Sequence, residues 1–230
     1  MSDVVHTWQV PLHAKPSTVD SLYAVLSPVE RQHADARPET GRRRYVVAHA
    51  ALRAILGRLV GIAPNRLRMA TGPCDKPFLL DADVEFNLTQ GDDTAMVAVC
   101  RGRPVGVDLA TCRRDFPVHA MAERFFPAAE RRLVDGPDAR RAWLGLWARK
   151  EAWVKAAGTR LVLGLPVPVI RCVTRDPTGR VPGWWRLEDL PAPPGCAASV
   201  ALAGARPYHV INHRQSTMDW GRRHDHHGNA

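Results

Sequence analysis

The chain has 230 residues, 45% of them hydrophobic and 24% charged, with a formal net charge of +9. That is the composition of an ordinary globular chain long enough to bury a core, and it holds no apolar run approaching the ~20 residues a membrane helix needs. Five scattered cysteines without a C-x-x-C pair exclude a disulfide framework and a zinc site.

The first residues lack the basic-then-apolar order of a secretory leader, so cytoplasmic residence and no membrane partner are expected. Only four of the 32 basic residues are lysine: Lys15, Lys76, Lys150 and Lys155. A basic surface suits nucleic acid, an anionic cofactor or an acidic protein. No nucleic-acid-binding signature is present, so nucleic acid is not expected as a partner.

In chain order, residues 4–12 read as an entering strand. Residues 17–36 are helix-compatible, with Ser17 as N-cap and a break at Ser27-Pro28. Residues 42–60 carry apolar positions at three- and four-residue spacings, an amphipathic helix, and 61–82 are loop-rich. Residues 84–88 and 94–101 read as strands around the Gln90-Gly-Asp-Asp93 turn, with a third at 105–109 after the Arg103-Pro104 midpoint. Residues 119–134 and 138–158 read as helices, Gly158 serving as C-cap of the second. Strand-like pieces follow at 167–174, 184–187 and 197–202. Each half thus runs from helices to a few strands. The expected class is α+β: two similar α/β subdomains packed face to face, each with a small, mainly antiparallel sheet. The expected division is an N-terminal subdomain at 1–103, a C-terminal one at 104–218 and a disordered tail at 219–230, which holds His224, His226 and His227.

The stretch Trp147-Ala-Arg-Lys-Glu-Ala-Trp-Val-Lys155 carries the most chemistry. Glu151 and Lys155 are one helical turn apart and share a face. Gly106-Val-Asp108 puts a second acid at the end of a β-like run. Two acids from different elements and a lysine can hold a divalent cation against a phosphate ester. The alternative, a solvated helix pair worth ~0.3 kcal/mol, stays open on this stretch alone.

Asp75-Lys76-Pro77, Glu85-Phe-Asn87-Leu-Thr89, Gly106-Val-Asp108 and Trp147-x-x-Lys150-Glu151-Ala-x-x-Lys155 occur in one order and spacing that resembles the Sfp-type 4′-phosphopantetheinyl transferases, and Arg124-Phe-Phe-x-x-x-Glu130 resembles a further family stretch. The resemblance spans about residues 40–165. It implies a pseudo-dimeric fold and transfer of the 4′-phosphopantetheine arm of coenzyme A to a serine of an acyl or peptidyl carrier protein, releasing adenosine 3′,5′-bisphosphate. It implies Mg²⁺, with Mn²⁺ as a substitute, held by Asp108 and Glu151. Asp108, Glu151 and Lys155 would be the catalytic set, and Arg44, Lys76, Pro77, Thr89 and Gln90, with Asp108 and Lys155, would contact coenzyme A. Arg53 reads instead as a solvated helix face or a salt bridge, and Phe86 and Trp147 as packing residues. Asn87 reads as a tie from the strand end to a loop. Acidic carrier proteins would suit the +9 charge, and a monomer would complete the cleft. Two positions depart from the family: Ala110 stands where many members have Glu, and Gln90 stands where the family has His. They raise a second reading, a coenzyme A-binding or carrier-docking relative with little or no turnover.

Overall fold

The computed structural model describes residues 3–80 and 82–214, and the expected tail lies outside the described residues. Strand β1 (Asp3–Pro11) enters first, followed by helices α1 (Pro16–Tyr23), α2 (Pro28–Asp35) and α3 (Glu39–Val60). The cap of α1 is Lys15 with Pro16 in the first turn, not Ser17. Proline fits there because the first turn has no use for its missing N–H. The break expected at Ser27-Pro28 is a helix start. The Ser27 hydroxyl accepts from the Glu30 amide (3.3 Å) and the Glu30 carboxylate accepts from the Ser27 amide (2.8 Å), a reciprocal cap. Helix α3 ends at Gly61, whose φ of 73° is left-handed.

Glu30 also receives Arg53 Nε at 2.6 Å. Arg53 is only 2% exposed and donates further to the carbonyls of Pro64 and Leu67. The salt-bridge alternative for Arg53 therefore holds, but on a buried face, because α2 covers that side of α3. Burial alone would raise the Glu30 carboxyl, but bonds from His49, the Ser27 amide and Arg53 outweigh it and hold the group down at about 2. A carboxyl lowered by folding adds stability above its unfolded value of 4.5 and loses it as pH falls toward about 2. Glu30→Gln should therefore cost roughly 2–3 kcal/mol at pH 7. In urea titrations the difference should shrink below pH 4.5, and a pH-independent difference would assign the effect to packing.

The two-stranded hairpin β2 (Met69–Thr71) and β3 (Pro77–Leu79) follows, then β4 (Glu85–Gln90), β5 (Thr94–Cys100) and β6 (Val105–Ala110). The segment expected to be one helix at 119–134 is two, α4 (Val118–Phe125) and α5 (Ala128–Val134), because Pro127 starts a new helix. Helix α6 (Ala139–Ala157) ends at left-handed Gly158, and the short α7 (Leu161–Gly164) follows. Strands β7 (Val173–Thr174), β8 (Trp185–Leu190), β9 (Ala197–Ala203) and β10 (Tyr208–Arg214) complete the described chain. Only the end of the expected 167–174 strand is extended into a ladder.

The chain is mixed α+β, and its described residues form two four-stranded sheets in the orders β10-β1-β5-β4 and β6-β9-β8-β7. Pairing is antiparallel except for β10, which runs parallel to β1. Residues 208–214, grouped by sequence with the second half, thus add a strand to the first sheet. Leu52, Ile55 and Leu56 of α3 pack on Phe86, Val97 and Val99 of that sheet. On the second sheet, Ala152, Trp153 and Ala156 of α6 cluster with Leu187 and Ala201. Val5, Met96 and Ala98 meet Val107, Val200 and Leu202 between the two sheets. The layers therefore run helix, sheet, sheet, helix, and the edge strands β4 and β6 lie along one seam. Among the described residues no helix is long and apolar enough to cross a membrane.

Candidate active site at the seam

Strand alternation decides what β4 shows to the seam. Phe86 and Leu88 face α3, while Glu85, Asn87 and Thr89 face the other way. On β6, Gly106 and Asp108 face α6. A Cβ at Gly106 would sit 2.2 Å from the Ala152 carbonyl oxygen and 2.3 Å from the Ala156 amide. Glycine here lets the helix backbone rest on the strand, and that contact brings the second half of α6 over Asp108.

The result is a compact polar group. Lys155 Nζ donates to Asp108 Oδ1 at 2.6 Å and to Thr89 Oγ1 at 3.1 Å, and the Thr89 hydroxyl donates to the same Asp108 oxygen at 3.1 Å. Asp108 and Thr89 are each 6% exposed. Glu151, half-buried one turn before Lys155, has its carboxyl pushed above the ordinary range. Burial is the main cause, the Lys155 ammonium opposes it, and the Asp108 carboxylate adds to it. The two acids are thus near enough to repel, the condition a cation relieves. Two hard oxygen donors beside a hydroxyl suit Mg²⁺, which commonly keeps several waters. Among the described residues no third His, Cys, Asp or Glu joins them. Ala110 is 4% exposed within the apolar cluster under α6. Gln90 is exposed and, by alternation, lies on the Leu88 side of β4.

The other expected contacts divide. Pro77 lines a cleft of about 920 Å³ whose wall also includes Arg31, Tyr45, His49, Arg66 and Asn87. Lys76 turns away toward the end of α6. Its Nζ donates to the Ala156 carbonyl at 2.9 Å and lies 3.6 Å from Glu85 Oε2, and burial pulls the ammonium below its usual range against the pull of Glu85. Arg44, at the start of α3, pairs with Asp92 (3.1 Å) and Asp93 (3.6 Å) on the β4–β5 turn. Sequence reasoning did not single out Arg31, inside α2 three residues after Pro28, or Arg66, at the end of a 3-10 turn begun by Pro64.

Lys150 and Glu130 form an ion pair at 2.7 Å, both fully buried. Lys150 also donates to the Val167 carbonyl, and Glu130 accepts from the Val169 amide, so the pair is bonded on both sides. It pins the α7–β7 connection beneath α6 and does not reach the seam. Asn87 is buried and ties β4 to a strand rather than to a loop, its Oδ1 accepting from the Val107 amide at 2.9 Å. Phe86 (1% exposed) and Trp147, stacked 5.0 Å from Trp143, are packing residues.

A sequence profile described as the 4′-phosphopantetheinyl transferase superfamily matches residues 104–190, the half that carries Asp108, Glu151 and Lys155. The chain is 32% identical over 213 residues to the 4′-phosphopantetheinyl transferase HetI of Nostoc sp., covering 89% of this chain and 90% of that protein. It is also 28% identical over 155 residues to slr0495 of Synechocystis sp., provisionally named for the same activity, covering 64% and 63% of the two.

Proposed function

We propose the following reaction for this chain, which belongs to the 4′-phosphopantetheinyl transferase superfamily: a serine Oγ of an acyl or peptidyl carrier protein attacks the pantetheine-side phosphorus of coenzyme A. The bond from that phosphorus to the nucleotide phosphate oxygen breaks, adenosine 3′,5′-bisphosphate leaves, and the serine proton passes to Glu151. The observation that carries the reading is the seam cluster, in which Lys155 lies 2.6 Å from Asp108 and Glu151 is held above its usual range.

Asp108 and Glu151 are the residues that would hold Mg²⁺ or Mn²⁺, whose contribution is to neutralise the pyrophosphate. Glu151 is a better proton acceptor than an ordinary carboxylate because burial brings it closer to neutrality. Lys155 supplies a charged donor to the phosphates, oriented by Asp108, and the Thr89 hydroxyl can turn to a phosphate oxygen. The nucleotide would lie in the cleft, with Arg31 and Arg66 on its wall and Pro77 at one side. The Arg44 pair with Asp92 and Asp93 is partly exposed and weak enough for a phosphate to displace it. An acidic carrier suits the +9 charge and the exposed Arg113 and Arg114 that follow β6. The protein would act as a cytoplasmic monomer.

The test is incubation with coenzyme A, Mg²⁺ and apo carrier domains of fatty-acid, polyketide and nonribosomal-peptide type. One serine should gain the phosphopantetheine mass. Coenzyme A binding without transfer to any of them would favour the non-catalytic relative, the reading that Ala110 and Gln90 support. Arg44→Ala should raise KM for coenzyme A more than for the 3′-dephospho form, and equal rises would remove Arg44 from the 3′-phosphate.

A further inference from the structure

We propose that Asn87 is a positioning residue for the transfer, holding the edge of one sheet against the edge of the other so that Thr89 meets Asp108. The inference rests on the transferase reading and deepens it. Strands β4 and β6 belong to different sheets and share no ladder. Val107 pairs with Val200 of β9, so among the described residues the seam side of β6 has no strand to bond it. Its amide instead donates to Asn87 Oδ1 at 2.9 Å, and Asn87 is 6% exposed. One side chain stands in for a ladder bond at a point where the two edges would otherwise slide.

Its place along the strands gives that bond its consequence. Asn87 is two residues before Thr89, on the same face of β4. Val107 immediately precedes Asp108. The side-chain bond Thr89–Asp108 (3.1 Å) therefore lies one step along the seam from the Asn87–Val107 bond, and Lys155 closes on both Thr89 and Asp108. A shift of β4 along β6 would move the Thr89 hydroxyl away from the carboxylate and from the ammonium that share it. Asn87 also lines the cleft. An apolar residue of similar size fills the space but leaves the Val107 amide without an acceptor. Aspartate keeps the acceptor.

The experiment compares Asn87→Leu and Asn87→Asp with the parent protein in three measurements. These are steady-state transfer to an apo carrier domain with coenzyme A, binding of adenosine 3′,5′-bisphosphate without added metal, and hydrogen exchange of the Val107 amide. In Asn87→Leu, kcat should fall on the order of 10²-fold, the scale for reacting groups misplaced by about an ångström. KM for coenzyme A and the affinity for the bisphosphate should stay within about threefold, since a positioning role leaves ground-state binding nearly uniform. Asn87→Asp should recover most of kcat, and Val107 should exchange fast in the leucine variant and slowly in the aspartate variant. Equal kcat for the leucine variant and the parent, or equal losses in the two variants, would overturn the positioning role. Unchanged Val107 exchange in the leucine variant would overturn the tie itself. A parent protein that transfers nothing would sink the transferase reading instead, while the exchange measurement still decides whether Asn87 closes the seam.

Discussion

Gly106→Ala is expected to remove most transfer activity and to lower stability. The added Cβ would fall 2.2 Å from the Ala152 carbonyl oxygen and 2.3 Å from the Ala156 amide, both backbone atoms of α6 that cannot rotate aside. The strand and helix must separate. Overpacking of this kind costs about 1–3 kcal/mol, or roughly 2–12 °C in Tm for a chain of this size. The activity loss should exceed what that destabilisation explains at a temperature where the variant is folded. Asp108 rides on the strand and Lys155 on the helix, so their separation lengthens the 2.6 Å contact between them. Turnover measured at 20 °C on folded protein should fall on the order of 10²-fold. Parent-like turnover would show that the helix–strand spacing is not what sets the site.

Glu151→Gln should have the opposite signature in stability. The parent carboxyl is held above its ordinary range by burial and by the Asp108 carboxylate, with Lys155 opposing. A carboxyl raised by folding weakens the fold once pH exceeds its unfolded value, because the charged form is worse off in the native state. The neutral amide escapes that cost, so Tm at pH 7 should equal or exceed that of the parent. Transfer should nonetheless fall by about 10²–10⁴-fold, the range for loss of a positioned proton acceptor. Titration of Mg²⁺ against the parent should show tighter binding as pH rises, since the carboxyl must lose its proton to bind. Turnover near the parent level, or a clear drop in Tm, would remove Glu151 from the proposed role.

Much of the local structure was legible in the sequence because it is local. The apolar spacing of α3, the motif helix α6 with its Gly158 cap, and the β4–β5 turn each depend on a few adjacent residues. Asp108, Glu151 and Lys155 were read as one catalytic set on spacing and resemblance, and the structure puts Lys155 Nζ 2.6 Å from Asp108 Oδ1. What could not be read depends on distant segments. Nothing near residue 208 says that it will lie beside Asp3, because a parallel pairing between chain ends leaves no turn signal. Arg53 was read as a solvated helix face or a salt bridge, and the packing of α2 onto α3, with Glu30 in reach, makes it a buried salt bridge. Lys76 was expected to contact coenzyme A, but its bond to the Ala156 carbonyl requires knowing where α6 ends in space.

The parallel placement of β10 beside β1 also constrains how relatives can exchange material. A crossover at the Arg103-Pro104 midpoint looks neutral, since it falls between β5 and β6. It would nevertheless mate β1 of one parent with β10 of the other across a register running from Asp3↔Tyr208 to Gln9↔Arg214. Chimeras cut there inherit a mismatched sheet in the half that looks untouched, whereas chimeras that carry both chain ends from one parent keep it whole.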